Sequence, residues 1–261
     1  MTPITMETPL KFLTLGGYGP HSQVGWHLPT GVAPGEYMRT YGPLVLCANG
    51  LHLTTLKHWR CWADYRLYVA EHGPYAEVLR DEEAGDPSKY VVDAARLTRE
   101  VTAWTDSRFW LRFMVGVAQR ALPHYAAAYP LDERPARALA VARAYVRHRA
   151  DTSAVTLARW NLRESEETCY HDRRTYPTSA PYRAAAYAIG AVEGCLAKLD
   201  EHHLTHISGL NVANNAAVAR MERCNDSYDY AADYEDTVRA DREEKAWQDR
   251  FLLAMLNLWR G

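Results

Sequence analysis

The pattern of hydrophobic and polar positions divides the chain into two unlike parts near residue 105. Before that point, short apolar runs lie between turns rich in glycine and proline, and residues 97–104 alternate with the period of two that is typical of a β-strand. Residues 54–71 instead carry apolar side chains at helical spacing behind a capping threonine, Thr54 or Thr55, and predict a helix. We therefore expect residues 1–105 to form a small, turn-rich α+β domain.

The second part is rich in alanine and arginine, and one helix signal follows another. Side-chain oxygens that can cap a helix stand at Asp106 or Ser107, at Asp132, and at Asp151 or Thr152. The predicted helices cover residues 109–122 (stopped by Pro123), 133–149, 152–160, 180–199, 212–223 and about 228–259. Residues 106–261 are therefore expected to form an all-α helical domain, so the fold class is α+β. Polar, tyrosine-rich stretches at 161–178 and 222–244 interrupt the alanine-rich pattern.

The segment LVLCANGLHLTTLKHWRCWADY, residues 44–65, concentrates cysteine and histidine in the first part. Its pattern predicts a strand, an Asn49-Gly50 turn, a short segment around His52 and a helix with an aromatic face. The potential metal ligands are Cys47, His52, His58 and Cys61. Their spacing is none of the usual zinc-ligand pairs, so we expect structural roles and no metal, with a structural zinc site as an alternative.

A second histidine cluster, EHHLTHISG, contains His202, His203 and His206. His202 and His206 have the i,i+4 spacing of a helical zinc motif, but the glutamate of that motif is missing and Gly209 is expected to end the helix. We interpret the cluster as a solvated helix end. The chain also lacks a nucleophile elbow and a phosphate-binding loop, so no catalytic residue is predicted.

Composition narrows the classes of partner. The chain has 261 residues, a net charge of −2 and a pI near 6.6, which is not the basic excess of a general nucleic-acid-binding protein. No run approaches the roughly 18 apolar residues of a membrane span, and the N-terminal segment has no secretory-signal pattern. The five cysteines are odd in number and scattered, so we expect a protein of the reducing cytoplasm. From the charge and the lack of a membrane span, we expect no direct contact with nucleic acid or membrane.

Several segments carry a family resemblance. They are GWHLPTGVAPGEY (25–37), GPLVLCANGLHL (42–53), DPSKYVVDAARLTREVTAW (86–104), LDERPARALAVARAYVR (131–147) and AWQDRFLLAML (246–256). Together they resemble an uncharacterised family common in actinobacterial and phage genomes. That family has a Gly-Leu-His signature in an N-terminal α+β domain and an alanine- and arginine-rich helical domain similar to that of proposed immunity proteins. The resemblance covers most of the chain and implies no activity, because the family has no established one.

An acidic pattern in the second polar stretch indicates a partner-binding surface. On one continuous helix, five carboxylates would form a stripe with two tyrosines beside it: Glu222, Asp226, Asp229, Asp233 and Asp236, with Tyr230 and Tyr234. Carboxylates at i,i+4 repel each other by a few tenths of a kcal/mol, so we expect a basic partner. This partner is either another protein or the arginines of this chain, Arg137, Arg143 and Arg147; the alternative is a stripe that is simply solvated. Our leading hypothesis is a non-enzymatic binding protein of phage or mobile-element type, an immunity or anti-defence protein without a cofactor. It would neutralise a nucleic-acid-binding defence protein or a toxin.

The main alternative is an enzyme that uses NAD. The Gly-Leu-His strand in a turn-rich α+β domain resembles the histidine-bearing strand of ADP-ribosyltransferase-like domains. The resemblance implies that His52 orients the NAD ribose and that Tyr65 or Tyr68 stacks on the nicotinamide. It also implies that Glu77 or Glu100 supplies a carboxylate for the later chemistry.

Overall fold

The computed structural model describes residues 2–20, 22, 24–80, 89–175, 180–200, 206–223 and 230–259. Tertiary contacts divide the chain into two compact units, Met1–Thr105 with Leu253–Gly261, and Asp106–Leu252. The sequence placed the last residues in the helical domain, whereas here they group with the first unit. The reason is that Asn257 exchanges two hydrogen bonds with the backbone of Ile4, at 2.9 and 2.8 Å.

The first unit is built from antiparallel sheets, which confirms the α+β class. The strands are β1 (Leu10–Leu13), β2 (Met38–Arg39), β3 (Leu51–Leu53), β4 (Arg66–His72), β5 (Val78–Arg80), β6 (Tyr90–Val92) and β7 (Ala94–Glu100). One sheet has the order β1-β4-β7-β2 and the other β3-β6-β5. Apolar residues on these strands form a buried cluster that includes Leu13, Leu51, Leu53, Val92 and Leu97. This cluster fixes the positions of β1 and β3, the two strands that matter for the site.

The predicted helix over residues 54–71 is wrong. The chain instead forms a 3₁₀ turn at Leu56–His58, a single helical turn α1 (Trp59–Trp62) and then strand β4. Strand β4 lies between β1 and β7, so its backbone is hydrogen-bonded on both edges. Hydrogen bonds to two neighbouring strands satisfy the backbone N–H and C=O groups of β4. This tertiary pairing overrides the helical spacing of the apolar side chains.

The segment before β3 also differs from its prediction. Residues 44–46 were expected to form a strand, but the backbone turns back within residues 45–49, where Val45 and Asn49 form an isolated bridge. Cys47 occupies the left-handed region at φ 66°, and Gly50 has φ 121°. A Cβ atom at Gly50 would lie 2.1 Å from Cγ2 of Val91, so only glycine fits there.

The second unit is helical. Its helices are α2 (Ser107–Ala128), α3 (Arg134–Val146), α4 (Thr152–Thr175), α5 (Ala180–Asp200), α6 (His206–Arg223) and α7 (Tyr230–Leu258), the last of which runs on into the residues grouped with the first unit. Asp106 caps α2 by accepting a hydrogen bond from the backbone N–H of Arg108. Residues 161–175, part of the first polar stretch, continue α4 rather than follow it, and residues 176–178 lie outside the described part of the chain.

Two expected helix ends are wrong. Pro123 lies inside α2, because the following turn is held by buried Tyr125, whose hydroxyl donates to Asp132 at 2.7 Å. Gly209 lies inside α6 and not at a helix end. A Cβ atom at Gly209 would come within 2.5 Å of the Trp110 ring, so this glycine permits close packing between α6 and α2.

Candidate functional site

A cavity of about 490 Å³ lies in the first unit, beside β1 and β3. We call it the β3 cavity. Its polar wall consists of Lys11, Ser22, Cys47, His52, Thr54 and Lys89, and its apolar wall includes Leu10, Phe12, Val24, Leu53 and Trp62. None of the described lining residues is an aspartate or a glutamate. The charged groups described in the wall are therefore both cationic, Lys11 and Lys89, and an apolar surface lies beside them.

Lys11 is the buried cation of the β3 cavity. It sits within the apolar strand β1, and only 8% of it is exposed. Its Nζ donates a hydrogen bond to the backbone oxygen of His52 at 2.9 Å and lies 5.2 Å from the centre of the Trp26 ring. Burial lowers the pKa of the Lys11 ammonium to about 8, because desolvation disfavours the charged form.

His52 is the central residue of β3, between buried Leu51 and Leu53. Its Nε2 accepts a hydrogen bond from the backbone N–H of Cys47 at 2.9 Å. Burial lowers the pKa of His52 further below physiological pH, and the nearby charges of Lys11 and Lys89 add to this effect. Because Nε2 accepts the Cys47 hydrogen bond, the proton of the neutral ring lies on Nδ1. Through its ring and its carbonyl, His52 holds both the turn before β3 and the Lys11 ammonium.

Lys89 approaches the cavity from the start of β6. Its Nζ donates to Sγ of Cys47 at 2.8 Å and lies 4.9 Å from the centre of the Trp62 ring. The left-handed backbone of Cys47 turns this thiol toward the ammonium. A chain of contacts thus runs from Lys11 through His52 and Cys47 to Lys89, with a cation at each end.

The positive charge of the β3 cavity comes from two of the few lysines in the chain. The chain has 30 lysines and arginines, of which only five are lysines, and two of these five line the β3 cavity. Lys57 and Lys245 form ion pairs with Glu7 and Asp241. Within the described part of the chain, Lys11 and Lys89 form no ion pair with a carboxylate. The positive charge of the cavity is therefore not neutralised by the residues described around it.

The set of residues expected for an NAD site is not brought together around the β3 cavity. Only His52 lines it; Tyr65, Tyr68, Glu77 and Glu100 do not. Tyr65 is about half exposed, whereas Tyr68 is buried on β4 under the guanidinium of Arg66. Glu100 forms two hydrogen bonds with Arg66, at 2.9 and 2.7 Å, so its carboxylate is already engaged.

The cysteines and histidines considered as metal ligands are also dispersed. Cys47 and His52 line the cavity, but His58 and Cys61 do not. Across the described residues, no group of three or more His, Cys, Asp and Glu side chains could hold a metal ion. His202 and His203 lie outside the described residues, and His206 is the first residue of α6.

The side chains of the acidic stripe are not described, except that of Asp236. Asp226 and Asp229 are not described, and nothing is described of the side chains of Glu222, Tyr230, Asp233 and Tyr234. Glu222 belongs to α6, whereas Asp233 and Asp236 belong to α7. Asp236 is half exposed and pairs with Arg239 on its own helix. Arg137, considered as an internal partner, pairs with Glu133 at 2.7 Å.

Two features of the structure were missed from the sequence. Lys11 belongs to no recognised motif, and the sequence indicates it only as a lysine inside the apolar run LKFL. The second feature is the polar centre at Asp132, whose carboxylate accepts hydrogen bonds from Tyr125, Ser165 and the backbone of Arg134. The Arg134 guanidinium also donates to this carboxylate, and together with these bonds it holds the pKa of Asp132 well below its usual range despite burial. The segment 132–135, which lies in the matched stretch LDERPARALAVARAYVR, therefore ties α2, α3 and α4 together and has a structural role.

The comparisons with known proteins leave the cavity to be interpreted from its own residues. No family model, no curated protein and no solved structure matches the chain. None of the described helices combines the length and the apolar character needed to cross a membrane.

Proposed function

We propose that the first unit binds a small anionic ligand in the β3 cavity. The observation that carries this proposal is the pair of lysines, Lys11 and Lys89, in a wall whose described residues include no carboxylate. Removing an ammonium from water is costly unless a counter-charge or hydrogen bonds replace the lost hydration. A bound anion would supply that counter-charge to both lysines.

The size and the apolar wall of the β3 cavity indicate the chemical class of its ligand. Its volume of about 490 Å³ falls in the range of roughly 300–1,000 Å³ that is common for small-molecule sites. Phe12, Leu53 and Trp62 offer an apolar surface beside the cations. We therefore expect a phosphate or carboxylate group attached to an apolar or aromatic body, rather than a free inorganic ion.

In this proposal His52 is a positioning residue. Its ring is neutral and already bonded to the Cys47 backbone, so it adds no charge for the ligand. Its carbonyl orients Lys11, and its ring holds the turn that presents Cys47 to Lys89. The proposal thus keeps a role for His52 without the NAD chemistry of the sequence hypothesis.

Titration calorimetry with benzoate, phenyl phosphate, inorganic phosphate and AMP tests the proposal. We expect phenyl phosphate or AMP to bind the wild-type protein and to lose at least tenfold in affinity in Lys11→Met and in Lys89→Met. Lys57→Met is the matched control, because Lys57 pairs with Glu7 and does not line the cavity. If none of the four anions binds, or if the control loses as much affinity as the cavity variants, the proposal is wrong.

The hypotheses from sequence stay predictions beside this proposal. The protein partner expected for the acidic stripe is one of these predictions. We also propose a reducing compartment such as the cytoplasm. In support, the four cysteines that the structure describes are free thiols: Cys47, Cys61, Cys169 and Cys195.

A further inference from the structure

We infer that Lys11 captures a carbonyl-bearing anion as a covalent imine inside the β3 cavity. This inference rests on the anion site proposed above and names the chemical class of its ligand. The ligand would carry an aldehyde or ketone group for Lys11 and a carboxylate or phosphate group for Lys89.

The surroundings of Lys11 favour an amine that reacts. A lysine becomes a nucleophile when desolvation or a neighbouring cation makes its neutral form accessible. Lys11 is 8% exposed, donates to a backbone oxygen at 2.9 Å and has no ion pair with any described carboxylate. With its pKa lowered to about 8, roughly a tenth of the amine is neutral at pH 7, against less than a thousandth for an ordinary lysine.

The other lysines with described side chains lack this combination. Lys57 and Lys245 pair with carboxylates and keep more than two fifths of their side chains exposed. Lys89 contacts the Cys47 thiol and the Trp62 ring at the more open side of the wall. The two cavity lysines therefore have different roles: Lys11 supplies the nucleophile, and Lys89 supplies the charge that orients the ligand.

The covalent step needs no oxidant, reductant or metal. The neutral Lys11 nitrogen donates its lone pair to the carbonyl carbon, a C–N bond forms and the C=O π bond breaks; the nitrogen then loses one proton and the oxygen gains one to give a carbinolamine. The hydroxyl gains a proton and leaves as water while the nitrogen loses its remaining proton, so amine and carbonyl become an imine plus one water. Solvent carries these protons, because Nε2 of His52 is engaged by the Cys47 backbone.

Pyridoxal 5′-phosphate is a suitable probe, because it joins an aldehyde and a phosphate on an aromatic ring. The wild-type protein is mixed with one equivalent of the probe, reduced with borohydride, digested and mapped by mass spectrometry. Pyridoxine 5′-phosphate, which has an alcohol in place of the aldehyde, measures non-covalent binding by calorimetry. Lys11→Arg keeps the charge but forms no imine, and Lys57→Arg is the matched control.

We expect the reduced adduct at Lys11 in the wild type and in Lys57→Arg, with at least tenfold less total adduct in Lys11→Arg. Its yield should rise between about pH 7 and 9, as the Lys11 amine loses its proton. An adduct spread evenly over the other lysines would overturn the inference. Binding of pyridoxine 5′-phosphate without an adduct at Lys11 would overturn the imine but leave the anion site standing. If pyridoxine 5′-phosphate does not bind, the anion site fails as well.

Discussion

Replacing Lys11 with methionine should make the stability of the protein depend differently on pH. Methionine has a similar length and no charge, so the substitution removes the desolvated ammonium while keeping the wall of the cavity filled. The pKa of Lys11 falls from 10.5 to about 8 on folding. Because one pKa unit corresponds to about 1.4 kcal/mol, the folded state penalises the charged lysine by roughly 3 kcal/mol.

The sign of the effect follows from proton binding. Between about pH 8 and 10.5 the unfolded chain keeps the Lys11 proton while the folded chain has lost it, so the wild-type unfolding free energy rises with pH. The methionine variant lacks this contribution. Its unfolding free energy relative to wild type should therefore fall by about 2 kcal/mol from pH 7 to pH 10.

Urea unfolding of both proteins in a buffer without phosphate measures this difference. The absolute difference at one pH also contains the lost hydrogen bond to His52 and the lost contact with Trp26, each worth about 1 kcal/mol. Comparing the difference in unfolding free energy at pH 7 and at pH 10 removes these contributions and leaves the effect of the Lys11 proton. A difference that stays constant from pH 7 to pH 10 would refute a buried lysine with a lowered pKa.

Three further predictions concern the turn and the helical unit. His52→Ala should release the turn and speed alkylation of Cys47 by iodoacetamide severalfold, measured by mass spectrometry; an unchanged rate would contradict the Nε2 contact. Gly50→Ala should cost about 3 kcal/mol or more in urea unfolding, since its Cβ would meet Val91 at 2.1 Å. Asp132→Asn should cost about 2 kcal/mol at pH 7, and the loss should shrink as the pH falls below about 4, where the unfolded chain takes up a proton while the folded carboxylate stays ionised.

Local features of the sequence determined the outline of the fold. The change from turn-rich to alanine-rich composition at residue 105 marks the place where sheets give way to helices. Asp106 caps α2 and Pro135 lies in the first turn of α3, because capping and proline geometry depend on a few neighbouring residues. The alternation over residues 97–104 is only half confirmed: residues 97–100 end strand β7, whereas Thr102–Thr105 form a 3₁₀ turn.

Only the tertiary structure decided the elements whose hydrogen bonds are long-range. The local spacing of apolar residues predicted a helix over most of strand β4. The strand pairing that decides otherwise involves β1 and β7, which are distant in sequence. The same reason hides the site. The lysine in LKFL becomes buried only when the fold brings Trp26 and His52 to it, and Lys89 reaches the cavity from the residue before β6. Sequence spacing determined caps and turns, whereas the charge state of Lys11 depends on what surrounds it, and only the folded chain brings those groups together.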